Sequence, residues 1–241
     1  MNRNRLSAVF MACTVLLTLM TPLHAENNNA SGNSTSSYNN YLDGSVDQTK
    51  IYETYNDKVL MYETMTSGMA RQTTPLNKTL AVNFQTQENY YYCGPAAVRM
   101  VLYATGKSYP QSFIASFIGT TSDGTGFGGT LLNAMNSHCG SSFSFNLVCG
   151  STDLKTRTVI AINYGNPVLV NTYQPSGVDI IEGHMENNIF YHYGVINGYK
   201  RSGDVLVYTD PAYGRYPGTA KQQDISLSNM QYLCSTRGFI W

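Results

Sequence analysis

Pro95 fixes the first boundary in this chain. Proline lacks a backbone N–H and clashes inside a helix, yet it suits the first helical turn, where that N–H would have no partner. In Tyr92-Cys93-Gly94-Pro95-Ala96-Ala97 it therefore sets a helix start directly after Cys93, and Ala97, Val98, Val101 and Leu102 carry the helix to a C-cap at Gly106. Ser108-Tyr109-Pro110 opens a second helix with Phe113, Ile114, Phe117 and Ile118, stopped by Gly119. A glycine-rich loop from Thr120 to Gly129 follows, and Thr130 caps a third helix through about Ser137. The pattern then changes to strands. Phe143, Phe145, Leu147 and Cys149 alternate, and a helix over 153–164 ends at Gly165. Pro167 to Val170 reads as a buried strand, and Ile189 to Gly198 and Asp204 to Asp210 flank a turn at Lys200-Arg201-Ser202-Gly203. A strand at Leu80 to Phe84, a short helix near 226–232 and a strand ending at Trp241 complete the reading. Helices first, packed on an antiparallel sheet that comes later, is an α+β order.

The ends of the chain read differently. Arg3 and Arg5 precede an apolar run from Leu6 to about Met20, and small Ala25 closes the segment. That is the layout of a signal peptide over residues 1–25, the alternative being a retained anchor. The apolar run is shorter than the roughly 20 residues a membrane-spanning helix needs. Residues 26–50 are dominated by Asn, Ser, Gly, Thr and Asp, too few large aliphatics to offset chain entropy, and are expected to be a disordered linker. Residues 51–79 are expected to be a packed N-terminal arm, with a propeptide covering a groove as the alternative. The folded domain is expected over 80–241. The chain carries 15 basic and 15 acidic residues; without Arg3 and Arg5 the basic count falls to 13, so neither a nucleic-acid partner nor a membrane-surface patch is indicated. No membrane insertion is expected after signal cleavage, and the expected location is secreted or periplasmic.

Cys93 sits at the positive end of a helix, where free N–H groups and the helix dipole favour a thiolate, the nucleophilic form of cysteine. Such a nucleophile needs a base. After residue 25 the histidines are His138, His184 and His192. His138 adjoins Cys139 in a loop, and His184, in Glu182-Gly183-His184-Met185-Glu186, reads as an exposed loop residue. His192 lies in a strand, which holds a base more accurately. With the hairpin turn centred on Arg201, His192 falls opposite Asp210, so Asp210 is placed to orient the ring. The oxyanion would be met by the Cys93 backbone N–H and by a side-chain amide from Gln85 or Gln87.

Gln87 six residues before Cys93, the run Cys93-Gly94-Pro95-Ala96-Ala97, the strand His192-Tyr193-Gly194-Val195-Ile196-Asn197-Gly198-Tyr199 and Asp210-Pro211 together resemble C39-like peptidases of the papain-like cysteine peptidase superfamily. Pro110-Gln111-Ser112 and Gly119-Thr120 fit the same likeness, which covers roughly 80–241. The resemblance implies a papain-like α+β fold, Cys-His-Asp catalysis by Cys93, His192 and Asp210, Gln87 as the oxyanion donor in preference to Gln85, and a peptide or protein substrate. Members that process bacteriocins are fused to a transporter and cut double-glycine leaders; that substrate is not carried over to a chain with an export signal.

Cys139 and Cys149, ten residues apart around a strand turn, are expected to form a disulfide, leaving Cys234 over. Paired Cys-x-x-Cys spacing is missing, and neither a metal nor another cofactor is expected. The sequence thus favours an exported cysteine peptidase acting on peptide or isopeptide amides. An amine-accepting acyltransferase and a non-catalytic binding module, for which the 19 tyrosines would suit a binding surface, are the alternatives.

Overall fold

The computed structural model describes residues 57–58, 60–64, 75–138, 143–146 and 149–241. The expected signal peptide and linker, and Cys139, lie outside them. Among the described residues, besides helical residues at 57–58 and 60–64 and a 3-10 turn at Arg201–Gly203, five α-helices and seven strands follow in order. They are β1 (Lys78–Thr79), α1 (Cys93–Ala104), α2 (Gln111–Phe117), α3 (Gly129–His138), β2 (Phe145–Asn146), α4 (Ser151–Asn163), β3 (Val168–Tyr173), β4 (Tyr191–Lys200), β5 (Val205–Thr209), β6 (Gln222–Ser226), α5 (Leu227–Cys234) and β7 (Phe239–Ile240). The sheet runs β2-β7-β3-β4-β5-β6, with β1 on the far part of β4, and every pairing is antiparallel.

Helix α1 starts where Pro95 requires and ends in a Schellman arrangement. Gly106 N–H donates to the Tyr103 carbonyl and Lys107 N–H to that of Leu102, closing the last turn. The strand expected at Leu80 to Phe84 is instead β1, two residues earlier; Leu80 still donates to the Asn197 carbonyl at 2.7 Å. β6 was not foreseen, because Gln222-Gln223-Asp224-Ile225-Ser226 buries only Ile225 and shows no apolar alternation.

The sheet is covered on both faces, which explains why β4 is buried along almost all of its length. On β3, Val168 and Val170 join a core with α4 and α5, whereas Leu169 joins a second core with α1, α2 and α3. Each fully buried Val, Leu or Ile there contributes about 1.5–3 kcal/mol of transfer free energy. Near the N-terminal end of the described residues, the Tyr62 hydroxyl donates to Asp153 at 2.6 Å, and the Lys58 ammonium lies 5.1 Å from the centre of the Trp241 ring.

The expected Cys139–Cys149 bridge is not formed. Cys149 is bonded to Cys234, joining the residues just before α4 to the end of α5. Both are buried in the α4–α5 core, so spatial packing across 85 residues decides the pairing and nearness in sequence does not. Replacing Cys149 and Cys234 together by Ala is expected to lower the unfolding free energy by about 2–5 kcal/mol, read from the urea midpoint; an unchanged midpoint would show that the bridge contributes nothing.

Candidate active site

Cys93 is the first residue of α1 and is partly exposed, with its sulfur unbridged. The N-cap, Tyr92, offers no side-chain acceptor, so the first-turn N–H groups remain available beside the thiol. Gly94, next to the thiol, has a packing task. A Cβ at Gly94 would stand 2.2 Å from Thr125 Oγ1, so the glycine admits the loop between α2 and α3 against the helix start. The Tyr193 hydroxyl holds that loop by donating to the Thr125 carbonyl at 3.0 Å.

His192 is the second residue of β4, and Asp210 directly follows β5. His192 Nε2 donates to Asp210 Oδ1 at 2.7 Å, and the Cys93 thiol lines the same groove as the ring, close enough for each to shift the other's ionisation. The three residues named from the sequence are therefore in line, but the expected register is wrong. The hairpin pairs Lys200 with Val205 and Val195 with Thr209, so its centre lies between Ser202 and Gly203 and not on Arg201. Arg201 and Ser202, both with positive φ, lengthen the turn, and a bulge at Asn197 shifts the ladder once more. His192 thus does not face Asp210 across the ladder; the contact persists because Asp210 has left β5 and its carboxylate reaches the ring.

Sequence reasoning missed His184. Far from exposed, it is 1% exposed, and its Nε2 donates to Asp210 Oδ2 at 2.7 Å. Gly183 makes this burial possible. It adopts φ +79°, and a Cβ there would lie 2.5 Å from the Thr219 backbone nitrogen, so only glycine lets the 181–189 turn press against residues 218–219. Asn187 ties the two together by donating to the Gly183 and Pro217 carbonyls. The glycine before His184 was the available signal, but no periodicity marks a turn as buried. Asp210 also accepts from the Ala212 N–H at 2.8 Å, so both of its oxygens are engaged. His184, His192 and Asp210 are the one set among the described residues whose ligand atoms, all within 4.8 Å, could converge on a cation; as they stand, both rings are spent on the carboxylate at hydrogen-bond spacing.

Of the two glutamines, Gln85 is taken up elsewhere: its Oε1 accepts from buried Gln111. Gln87 is buried beside Cys93, and its Nε2 donates to the Asn89 carbonyl at 2.8 Å, leaving the second amide N–H uncommitted. Its backbone is fastened on both sides, N–H to the Pro211 carbonyl and C=O from Arg215 Nε.

Charge is distributed unevenly over this row. Burial would push Asp210 up, but charged His192 and the hydrogen bonds from both rings hold its carboxyl well below the usual range. Burial likewise opposes a charge on His192, yet Asp210 and the Cys93 thiolate raise it to about 10. Burial works against the Cys93 thiolate too, and the hydrogen bond and charge of His192 outweigh it, lowering the thiol below its ordinary 9.0. His184 goes the other way. Burial and the neighbouring His192 ring, 4.9 Å away and edge-on, keep it neutral because one carboxylate supports one imidazolium.

A groove passes over Cys93 and His192 in two lobes. One, of about 340 Å³, is bounded by Thr125, Asn171, Tyr193 and Arg237; the other, of about 240 Å³, by Gln87, Tyr90, Phe190 and Tyr216. With Cys93 and His192 between them, the groove has room for an extended chain on both sides of the thiol.

Residues 79–233 match the Peptidase_C39 like family, more than half of the chain. No curated protein matches. Among solved structures, the peptidase domain of Streptococcus ComA, a bi-functional ABC transporter involved in a quorum-sensing pathway, is similar at 16% identity and TM-score 0.41, over 68% of this chain and 96% of that one. Bromelain from Ananas comosus is similar at 13% identity and TM-score 0.38, over 69% of this chain and 98% of that one. The ragweed pollen cysteine protease Amb a 11, in its proform, is similar at 12% identity and TM-score 0.40, over 70% of this chain and 65% of that one.

The charge distribution is open to direct measurement. In a pH titration followed by imidazole NMR, His192 is expected to keep its proton to about pH 10 while His184 titrates below its ordinary 6.5. Asp210→Asn should bring the His192 value down by units, and an unshifted His192 in that variant would remove Asp210 as the source of its charge.

Proposed function

The chain belongs to the Peptidase_C39-like family, whose members are cysteine peptidases of papain-like α+β fold, and on that footing we propose that it hydrolyses peptide amides with Cys93 as nucleophile, His192 as acid and base, Asp210 as orienter and Gln87 as oxyanion donor. The observation that carries the reading is the convergence of the Cys93 thiol at a helix start with the His192 ring, which a 2.7 Å bond fixes to buried Asp210. The Cys93 thiolate attacks the carbonyl carbon of the scissile amide. The oxygen becomes an oxyanion met by the Cys93 backbone N–H and the free amide N–H of Gln87. His192 gives its proton to the leaving amine, the C–N bond breaks, and a thioester remains on Cys93. Water then attacks the thioester, neutral His192 takes its proton, and the acid leaves as the C–S bond breaks and the thiolate–imidazolium pair is restored. Asp210 stays ionised throughout, and His184 fixes its second oxygen so that the ring is held at one angle.

Export is part of the proposal. The Arg3/Arg5 start and the apolar run to Met20 support it, as does the Cys149–Cys234 disulfide. Among the described residues no helix is long and apolar enough to cross a membrane.

Iodoacetamide should alkylate Cys93 rapidly well below the thiol's ordinary 9.0, and His192→Ala should abolish that advantage. On a cleavable peptide, kcat/KM should rise on the acid side as the thiolate forms and fall as His192 loses its proton near pH 10. Cys93→Ala and His192→Ala are expected to lose about 10⁴-fold or more, Gln87→Ala about 10²-fold, and His184→Ala about 10- to 100-fold. A Cys93 that resists alkylation across the whole range would sink the assignment.

A further inference from the structure

The larger lobe of the groove contains an arginine that the peptidase reading does not use. Arg237 lies between α5 and β7, beside Asn171, Tyr191 and the Cys93–His192 pair. Its guanidinium carbon stands 4.9 Å from the centre of the Tyr191 ring, and Tyr191 in turn stacks on Tyr173 at 4.9 Å. This is a cation–π seat, which engages the flat face of the guanidinium and leaves its N–H edge unspent. Nε is sealed from solvent without a hydrogen-bond partner, and among the described residues no carboxylate forms an ion pair with Arg237. A cation in that condition lacks an anion.

The backbone around it is fixed. Arg237 and Gly238 N–H both donate to the Cys234 carbonyl, the Gly238 carbonyl accepts from Asn171 N–H, and Cys234 is anchored by its disulfide. The other charges facing the lobe are few. Asp123 also lines it, but it is exposed and its carboxylate is screened by water. His192 carries the positive charge already described and is matched by the Cys93 thiolate beside it. The smaller lobe, the Cys93–His192 pair apart, is lined by uncharged side chains.

We infer that Arg237 makes the larger lobe a carboxylate subsite, so that the enzyme prefers substrates carrying an acidic group beside the scissile bond. The inference rests on the peptidase reading above and adds the substrate class to it. The carboxylate is that of an Asp or Glu side chain or that of a chain terminus. A planar guanidinium offers two parallel N–H donors to it, which a glutamine amide or a lysine in the substrate cannot use in the same way.

A first test needs no substrate. Cys93 in the full chain is alkylated in parallel by iodoacetate and by iodoacetamide at pH 7 and low salt, and the ratio of the two rates is taken. Arg237→Met, which keeps an unbranched apolar side chain without the charge, should lower that ratio about three- to tenfold, while Arg237→Lys retains most of it and added salt erodes it. The second test uses quenched peptides with Glu or Gln at each position around the cleaved bond, each with a free or an amidated C-terminus. One position should favour Glu about tenfold in kcat/KM, and that preference should vanish in Arg237→Met. A preference that follows the free C-terminus would assign the lobe to a chain end. Equal ratios in the wild type and Arg237→Met, with both reagents labelling Cys93, would overturn the carboxylate subsite and leave the peptidase intact. If neither reagent labels Cys93, the peptidase reading fails and the subsite falls with it.

Discussion

A single buried carboxylate organises this protein. Asp210 accepts from two imidazoles and a backbone N–H with water excluded, so its negative charge is felt at full strength by the rings beside it. It cannot support two imidazolium ions, and the surroundings settle which ring is charged. His192 has the Cys93 thiolate on its far side, whereas His184 has a buried Nδ1 without an acceptor. The proton therefore resides on the ring that neighbours the Cys93 sulfur. The neutral ring serves as a rigid support, and both demands are met by the two oxygens of one side chain.

The scaffold brings this about by joining distant pieces of chain. The 85–88 segment is held by Gln111 from below and by Arg215 from the loop after Asp210, so Gln87 and Asp210 are fixed relative to one another. Helix α1 delivers the thiol from one layer and β4 delivers the imidazole from the other. The groove is the seam between those layers.

Much of this was legible in the sequence, for identifiable reasons. Pro95 announces the start of α1, and with it the position of Cys93, because proline tolerates few places in a helix. His192 could be chosen because a strand reading placed it on a rigid element. The contact with Asp210 was anticipated from an incorrect register: a turn with three positive-φ residues, two of them not glycine, and a bulge at Asn197 leave no mark in the apolar pattern. His184 was invisible for a related cause. Its burial depends on how two turns pack together through Gly183, which is a property of the tertiary fold. The disulfide failed as a sequence inference because proximity along the chain says little about which cysteines a core brings within bonding distance.

The placement of sulfur in this molecule has a practical corollary. Cys93 opens onto a groove and is a good leaving group as a thiolate, so any mixed disulfide formed on it exchanges readily with small thiols. The bond between Cys149 and Cys234 lies deep in the α4–α5 core, where an attacking thiolate would first have to shed its hydration and then find a path. Burial thus gives one chain two sulfur chemistries with different susceptibilities. A mild reductant frees the Cys93 sulfur while the buried crosslink stays closed, and only conditions that open the core bring both to the same redox state.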